Sequence, residues 1–281
     1  MSFRAFEAGA AMAALALVSV TVAQWLRVRH ALRIARTAWA ANRPYGCKPD
    51  QPLARVLVLG DSTGVGLGAS MPHESIPGML SAEHPLVEIT NLAVSGSRLE
   101  DVRKQVSALT VDGSAPPYDL ILLMVGGNDV LRLTPLTRLA LEADVLLPDL
   151  TRLSPKVLWL CSANLGLAPV FMAPWSWWAS SRSYRVCMLF DRMAARHGVR
   201  FISLFRARGE EPFSSEPSVY FCHDGVHPNS AAYRVCYEHL REAASLNELI
   251  KDAAGRNASV HARAGARELR AQALDSSAAA G

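Results

Sequence analysis

The strongest constraint on the fold is an alternation of short apolar runs with helical patterns, which begins at residue 55. The run Leu120–Val125 reads LILLMV without a polar residue, as is typical of a strand buried on both faces. Four further runs of comparable length are Arg55–Leu59, Val87–Leu92, Lys156–Cys161 and Arg200–Leu204. Because strands and helices alternate along the chain, we expect a parallel sheet of five strands with helices on both of its faces.

Apolar residues recur at helical spacing between these runs. The segments predicted to be helical are 76–80, 99–109, 134–153, 175–197 and 233–240. Thr134 and Pro135 predict a helix start, and Gly198 predicts the end of the fourth helix. The 281 residues thus divide into an N-terminal segment (1–26), a basic linker (27–52), one folded domain (53–250) and a flexible Ala/Arg-rich tail (251–281).

The N-terminal segment is apolar from residue 8 to residue 26 apart from three polar residues. Its length is at the lower limit for a membrane-spanning helix, and its many alanines make it only weakly hydrophobic. Four arginines follow it directly (Arg27, Arg29, Arg33 and Arg36), against Arg4 in front. The positive-inside rule therefore predicts an N-terminal membrane anchor with the domain on the cytoplasmic side. A signal peptide cleaved near residue 23 and an amphipathic helix packed on the domain stay open as alternatives.

The charge balance and the cysteines narrow the class of protein. Lys plus Arg is 29 and Asp plus Glu is 25, and a net charge of +4 is too small to predict nucleic-acid binding. The five cysteines are odd in number, scattered and without a C-x-x-C motif: Cys47, Cys161, Cys187, Cys222 and Cys236. This pattern predicts neither a disulfide-built fold nor a zinc ribbon. Unpaired cysteines also agree with a reducing compartment.

Polar residues and glycines follow four of the predicted strands. Gly60-Asp61-Ser62 follows the first strand, a loop ending at Gly96 the second, and Gly127-Asn128-Asp129 the third. A longer loop after the fifth strand leads to Asp224-x-x-His227. In open parallel sheets, ligands bind beyond the carboxyl ends of the strands. The four blocks together supply a nucleophile, oxyanion donors, a base and an orienting acid, which are the parts of an acyl-transfer site.

In this order and spacing, the four blocks resemble the SGNH (GDSL-type) hydrolase superfamily, in its esterase-like branch. The resemblance covers about residues 55–245. It implies a three-layer α/β/α fold of flavodoxin-like appearance and hydrolysis of an ester or thioester through an acyl-enzyme. The first block reads Gly-Asp-Ser-Thr where Gly-Asp-Ser-Leu is commoner, a change that leaves the catalytic atoms unaltered.

The resemblance also implies a role for each residue. Ser62 is similar to the family's nucleophile, His227 to its base and Asp224 to the partner of that base. The backbone N–H groups of Ser62 and Gly96, with the side-chain amide of Asn128, are similar to its oxyanion hole. These residue types suit the chemistry, because a serine needs a base to remove its proton and an oxyanion needs convergent N–H donors. Asp61 is expected to be a structural hydrogen-bonding residue beneath the serine.

Other interpretations of the same residues are weaker. Gly60–Gly64 also fits the G-x-S-x-G elbow of α/β-hydrolases, but that fold needs several strands before its serine. Residues 64–69 weakly fit a dinucleotide loop, but they begin several residues after the strand end. His223 could join Asp224 and His227 in a metal site, but no further cluster completes the ligand set. A non-catalytic, membrane-tethered binding module remains the alternative of a different class.

The segment Asn164–Ser181 gives the best indication of the substrate. It follows the fourth strand and is rich in apolar residues, including three tryptophans. We predict an apolar cap over an acyl or aromatic group, with tentative contacts from Asn164, Leu165 and Trp175, unless the tryptophans instead pack a helix onto the core. The expected partner is a small-molecule or lipid-like ester, with a thioester, a lysophospholipid or a sugar acetate as alternatives. Because the protein itself supplies the nucleophile, the base, its partner and the oxyanion donors, neither a metal nor a cofactor is expected.

Overall fold

The computed structural model describes residues 3–38, 42–110, 118–210 and 212–258. Five strands form one parallel sheet in the order β2-β1-β3-β4-β5. Their bounds are β1 Ala54–Gly60, β2 Val87–Asn91, β3 Leu120–Met124, β4 Val157–Cys161 and β5 Arg200–Ser203. The predicted parallel sheet and its five strands are confirmed. The strand β1 pairs with β2 on one side and with β3 on the other, so the chain changes direction across the sheet at β1. A crevice therefore opens beyond the carboxyl ends of β1 and β3.

Helices cover both faces of the sheet, as predicted. One face packs against α4 (Leu99–Thr110), α6 (Leu136–Leu153) and α7 (Trp175–Arg196), and the other against α3 (Ile76–Glu83), α9 (Ser230–Ala244) and α10, residues 246–258. The short helices α2 (Ser62–Val65), α5 (Gly127–Leu131) and α8 (Pro217–Tyr220) lie in the loops.

Side chains along each strand alternate between these two layers. In β1, Leu57 and Leu59 enter the core under α4, α6 and α7, whereas Val56 and Val58 enter the core on the opposite face. This alternation follows from the two-residue period of a strand. A strand buried on both faces has no place for a polar side chain, which explains the wholly apolar run in β3.

The helix α10 corrects the predicted start of the tail at residue 251. Leu246, Ile250 and Ala253 recur at helical spacing and are buried against the sheet. The folded part of the chain therefore continues to residue 258 rather than ending at residue 250. The remainder of the predicted tail, 259–281, lies outside the described residues.

The N-terminal helix α1 spans Phe3–Ala38 without a break and so continues through the first part of the predicted basic linker. It is the one helix within the described residues that is long and apolar enough to cross a membrane, over Gly9–Ala35. Described side chains before residue 20 are exposed, whereas Gln24, Ala31 and Ala35 are buried against the domain. One end of α1 thus has the character of an anchor or signal sequence, and the other end packs on the domain as an amphipathic helix does.

Candidate active site

Ser62 lies at the junction between β1 and α2. Gly60 ends the strand with φ +143°, and a Cβ there would lie 1.9 Å from the Met124 carbonyl oxygen, so only glycine fits between β1 and β3. Asp61 caps α2, which makes Ser62 its first residue. The Ser62 side chain is almost buried, and its hydroxyl has no hydrogen-bond partner among the described residues. It is therefore free to turn toward a base.

Asp61 has the structural role expected of it. Its Oδ1 accepts hydrogen bonds from the Thr63 N–H at 2.9 Å and the Thr63 hydroxyl at 2.8 Å. Burial raises the pKa of Asp61 to about 6, although the Thr63 hydrogen bonds and the charge of His227 act to lower it. The carboxylate thus fixes the turn that presents Ser62, and its own protonation falls just below neutral pH.

Asp224 and His227 form a tight pair in the loop before α9. The His227 Nδ1 lies 2.6 Å from Asp224 Oδ2, and Asp224 Oδ1 accepts the backbone N–H groups of Val226 and His227 at 2.8 and 2.9 Å. Burial acts to raise the pKa of Asp224, but the hydrogen bonds and charge of His227 with these two N–H groups outweigh it and lower that pKa. The Nδ1 of His227 thus faces an ionised carboxylate, a pairing that leaves Nε2 as the acceptor nitrogen of a neutral imidazole.

Gly96 and Asn128 approach Ser62 from the loops after β2 and β3. Asn128 in α5 donates its side-chain amide to the Ser97 carbonyl at 3.1 Å, which ties the two loops together. Gly96 has φ +86°, a conformation that favours glycine. Within the described residues, the backbone N–H groups of Ser62 and Gly96 donate to no acceptor. Unpaired donors near a nucleophile are what an oxyanion hole requires.

Two cavities meet at these residues. An apolar cavity of about 150 Å³ and a wider groove of about 630 Å³ are both bordered by Ser62, Asn128 and His227. The apolar cavity is walled by side chains from the segment after β4 and from the loops around α8: Leu165, Leu167, Ala168, Phe213, Phe221 and Val226. Gly96 and Arg132 border the groove. The predicted catalytic residues therefore stand between an apolar site and a more polar one.

The three tentative substrate contacts have different positions. Asn164 and Leu165 both border the apolar cavity. The Asn164 amide is used internally, because it donates to the Arg206 carbonyl at 3.1 Å and accepts from the Gly166 N–H at 3.1 Å. Trp175 does not border either cavity and packs edge-on against Trp178, with 6.5 Å between ring centroids. Asn164 therefore shapes the wall through its backbone turn.

The tryptophans at the start of α7 do not pack into the core as a group. Trp177 and Trp178 are 67% and 45% exposed. Neither the cap over the substrate nor a helix packed on the core by its tryptophans describes Trp177 and Trp178, because both rings are substantially exposed and neither borders a cavity.

Sequence reasoning missed three residues that border the groove. Leu32 from α1 borders both cavities, and Arg43 and Arg132 border the groove. The continuation of helical spacing from Val28 through Ala31 to Ala35 was the available signal for a docked helix. For the two arginines the sequence offers no comparable signal, since a single arginine in a loop is ordinary.

The metal alternative gains no support from the part of the chain that the structure describes. No group of three or more His, Cys, Asp or Glu side chains there is arranged to hold a metal ion. Both oxygens of Asp224 are engaged by its own loop.

Comparison with known proteins gives the family of the chain and agrees with its fold. The model of the GDSL-like lipase/acylhydrolase family matches residues 58–235. A lipolytic G-D-S-L family member from Veillonella parvula is 18% identical with a TM-score of 0.52, and the match covers 67% of this chain and 96% of that one. A Lactobacillus plantarum protein is 23% identical with a TM-score of 0.53, covering 68% and 96%.

A third solved structure is a mutant acetyl-xylooligosaccharide esterase from Geobacillus. It is 17% identical with a TM-score of 0.50, and the match covers 69% of this chain and 95% of that one. At such identities the likeness of these three structures shows the fold alone. Among curated proteins, none matches this sequence.

Proposed function

This chain belongs to the GDSL-like lipase/acylhydrolase family, and on that premise we propose that it is a serine esterase that cleaves carboxylic esters through an acyl-enzyme on Ser62. The observation that carries the proposal is the Asp224–His227 pair, joined at 2.6 Å, in which His227 borders the same two cavities as Ser62 and Asn128. A nucleophile, a base and an orienting carboxylate at one cleft suit acyl transfer.

In the first half of the reaction, the Ser62 Oγ attacks the ester carbonyl carbon and its proton passes to His227 Nε2. The carbonyl oxygen becomes an oxyanion, which the N–H groups of Ser62 and Gly96 and the Asn128 amide stabilise. His227 then gives the proton to the departing alkoxide. The products of this half are a free alcohol and an ester between the acyl group and Ser62.

In the second half, His227 takes a proton from water, and the hydroxide attacks the acyl carbon. The tetrahedral intermediate uses the same donors, and its collapse returns the proton to Ser62 and releases the acid. Asp224 remains ionised throughout, because its lowered pKa reflects the hydrogen bonds that also orient the imidazole. Its contribution is to favour the tautomer of His227 in which Nε2 is a base.

The two cavities suggest how the ester is oriented. The cavity lined by Leu165, Leu167 and Phe221 suits an acyl chain, since it offers apolar surface to a hydrocarbon. The groove suits the alcohol portion, because it is wider and Arg132 borders it. Such an arrangement favours esters with longer acyl chains over sugar acetates, because an acetyl group is too small to fill the apolar cavity.

We expect Asn128→Ala to lower kcat for an acyl ester such as p-nitrophenyl butyrate by about 10²–10³-fold, because one oxyanion donor is lost. The variant should remain folded, since within the described residues the side chain of Asn128 forms one hydrogen bond, to the Ser97 carbonyl, whose loss costs about 1 kcal/mol. Initial rates and thermal melting of the wild type and the variant give both quantities.

Turnover per folded molecule separates the two roles of Asn128. Unchanged turnover with a lowered melting temperature would show that Asn128 only shapes the loop and would remove it from the oxyanion hole.

A lysophospholipid is the second candidate substrate, and the arginines of the groove favour it. Arg43 and Arg132 both border the groove where the alcohol portion would lie. Guanidinium groups bind phosphate well. Hydrolysis rates for a simple acyl ester, a lysophospholipid, an acyl thioester and an acetylated sugar decide among these classes.

We also propose that α1 anchors the protein in a membrane with the catalytic domain on the cytoplasmic side. The support is the apolar, exposed first half of α1 and the four arginines that follow it in the sequence. Cys222 is a poor reporter of sidedness. Its thiol is half-buried, it donates to the Gly68 carbonyl at 3.3 Å, and burial raises its pKa to about 11.

An introduced cysteine tests the sidedness directly. Lys251 is exposed on α10, so Lys251→Cys places a reactive thiol on the surface of the domain. We expect a membrane-impermeant maleimide to label this variant only after the cells are lysed. The unmodified protein measures labelling of the native cysteines. Labelling in intact cells would place the domain on the outer side.

A further inference from the structure

The second half of α1 is held against the active-site edge by specific side-chain contacts. Gln24 donates to the Val170 carbonyl at 3.0 Å and accepts the Met172 N–H at 2.8 Å. Arg27 donates to the Pro169 carbonyl at 2.8 Å. Gln24 is buried, so this pairing with the segment after β4 is protected from water. The docking is therefore more than a loose apolar contact.

The segment that α1 grips is joined in turn to the catalytic loop. The Val170 N–H donates to the Gly225 carbonyl at 3.0 Å, and Gly225 lies between Asp224 and His227 in the chain. Ala31 of α1 lies in one apolar cluster with Val170 and Val226. A continuous set of contacts thus runs from α1 to the residue next to His227.

Leu32 extends this contact into the site itself. It is the residue of α1 that borders both the apolar cavity and the groove, beside Ser62 and His227. Eight residues separate it from Gln24, or about 12 Å along the helix axis. The wall of the ester site consequently lies about two helical turns from the point where α1 leaves the domain.

The other half of α1 fits a bilayer. Its apolar part, residues 8–23, extends about 24 Å at about 1.5 Å per residue, which is most of the roughly 30 Å thickness of a hydrocarbon core. Large apolar side chains are exposed along it and just beyond: Met12, Leu15, Leu17, Val18, Val22, Trp25 and Leu26. No element of the described domain covers these side chains, and a lipid bilayer is the partner that matches their length and chemistry.

Residues typical of a membrane interface surround the point where α1 meets the domain. Trp177 and Trp178 are exposed a few residues after Met172, which pairs with Gln24. Trp25 is also exposed, with the Arg29 guanidinium 4.5 Å from its ring centroid. Tryptophan and arginine are favoured at the headgroup level of membranes. These exposed side chains favour a position of the α1 docking region next to the bilayer.

From these contacts we infer that α1 is part of the ester site as well as the membrane anchor of the protein. Leu32 forms part of the wall of the cavity, and the docked half of α1 holds the opening of the cavity at the membrane. The substrate is therefore a long-chain amphiphilic ester taken from the bilayer. The inference rests on the proposed esterase function and names its substrate class.

The first test concerns the wall. In full-length protein reconstituted in vesicles of phosphatidylethanolamine and phosphatidylglycerol, Leu32→Trp should lower the ratio of kcat/KM for p-nitrophenyl decanoate to that for the acetate by about tenfold or more. Leu26→Trp is the matched control, because Leu26 is exposed on the same helix and borders neither cavity. Its ratio should stay within about twofold of the wild type. Should Leu32→Trp not accumulate, Leu32→Ser makes the wall polar and should lower the ratio in the same direction.

An unchanged ratio in the Leu32 variants, or an equal change in Leu26→Trp, would overturn the role of α1 in the site. These outcomes differ from failure of the proposed function. Wild-type protein that cleaves no ester, or cleaves it equally well without Ser62, would refute the esterase itself.

The second test concerns delivery from the bilayer. Val18→Arg puts a charge in the exposed half of α1, six residues before the docked Gln24, and should prevent insertion. The variant should no longer float with the vesicles, and hydrolysis of 4-methylumbelliferyl palmitate held in them should fall by about tenfold or more. Hydrolysis of soluble p-nitrophenyl acetate should be unchanged, and Val18→Leu should behave as the wild type. Undiminished hydrolysis of the vesicle-held ester after flotation is lost would refute delivery from the membrane.

Discussion

Ser62→Ala should abolish ester hydrolysis and labelling by a fluorophosphonate while leaving the protein folded. The hydroxyl of Ser62 is the only atom of the proposed site that forms a covalent bond with the acyl group, so no neighbour can replace it. In serine hydrolases, loss of the nucleophile lowers kcat by about 10⁶-fold. Because this hydroxyl has no hydrogen-bond partner among the described residues, its removal should cost little stability.

The measurement is gel-based labelling of the wild type and the variant, with initial rates and thermal melting on the same preparations. Ser181→Ala is a matched control, since Ser181 is exposed on α7 and borders neither cavity. It should label and turn over as the wild type does. If labelling persisted in Ser62→Ala, another residue would be the nucleophile and the proposed mechanism would be wrong.

The position of Ser62 and Asn128 was open to prediction because both follow strands of a parallel sheet. The apolar runs of β1 and β3 mark those strands, and the two strands are neighbours at the point where the chain changes direction across the sheet. Residues directly after them must therefore meet at one edge. The His227 loop was harder to place by pattern alone, because it follows β5 only after the helix α8. There the family resemblance supplied the assignment.

The partner segment on which α1 docks could not be predicted from the same signals. Its strongest contacts join the Gln24 side chain to the backbone of Val170 and Met172, about 146 residues later in the chain. A backbone carbonyl or N–H leaves no mark in the sequence, so nothing identifies Val170 as the partner. The apolar run at 8–26 and the arginines after it suggested an anchor followed by a linker. That division overlooked that one continuous helix is exposed in its first half and packs on the domain in its second half.

The helix at 246–258 was assigned in part to the tail for a related reason. Its apolar residues Leu246, Ile250 and Ala253 are few and lie among alanines and charged residues. Such a pattern is weak until the face of the sheet that it covers is known. Short helices with one narrow apolar stripe gain most of their stability from packing, not from their own sequence.

Asp224→Asn should lower kcat by about 10⁴-fold with little change in KM. Asparagine can keep the carbonyl oxygen that accepts the N–H groups of Val226 and His227. Its NH₂ would then face His227 Nδ1, where the carboxylate now accepts at 2.6 Å. Two donors cannot share that position, so the imidazole must carry its proton on Nε2 instead. A protonated Nε2 cannot remove the proton of Ser62.

The same change should alter the pH dependence of stability in a defined direction. The hydrogen bonds of its loop lower the pKa of Asp224 below its usual value of 3.8, so its contribution to stability is present above that pH. The contribution is lost as the pH falls through the lowered pKa of the folded state. The difference in unfolding free energy between the wild type and Asp224→Asn should therefore be largest near neutral pH and shrink below about pH 4.

Asp252→Asn is the control for the Asp224 variant, because it makes the same chemical change at an exposed position on α10. It should leave kcat, KM and the pH dependence of unfolding as they are in the wild type. Steady-state rates and denaturant titrations at neutral and acidic pH measure all three. A loss of less than about tenfold in kcat for Asp224→Asn would mean that another group orients His227. The buried carboxylate of Asp61, whose charge already interacts with that of His227, would then be the first residue to consider.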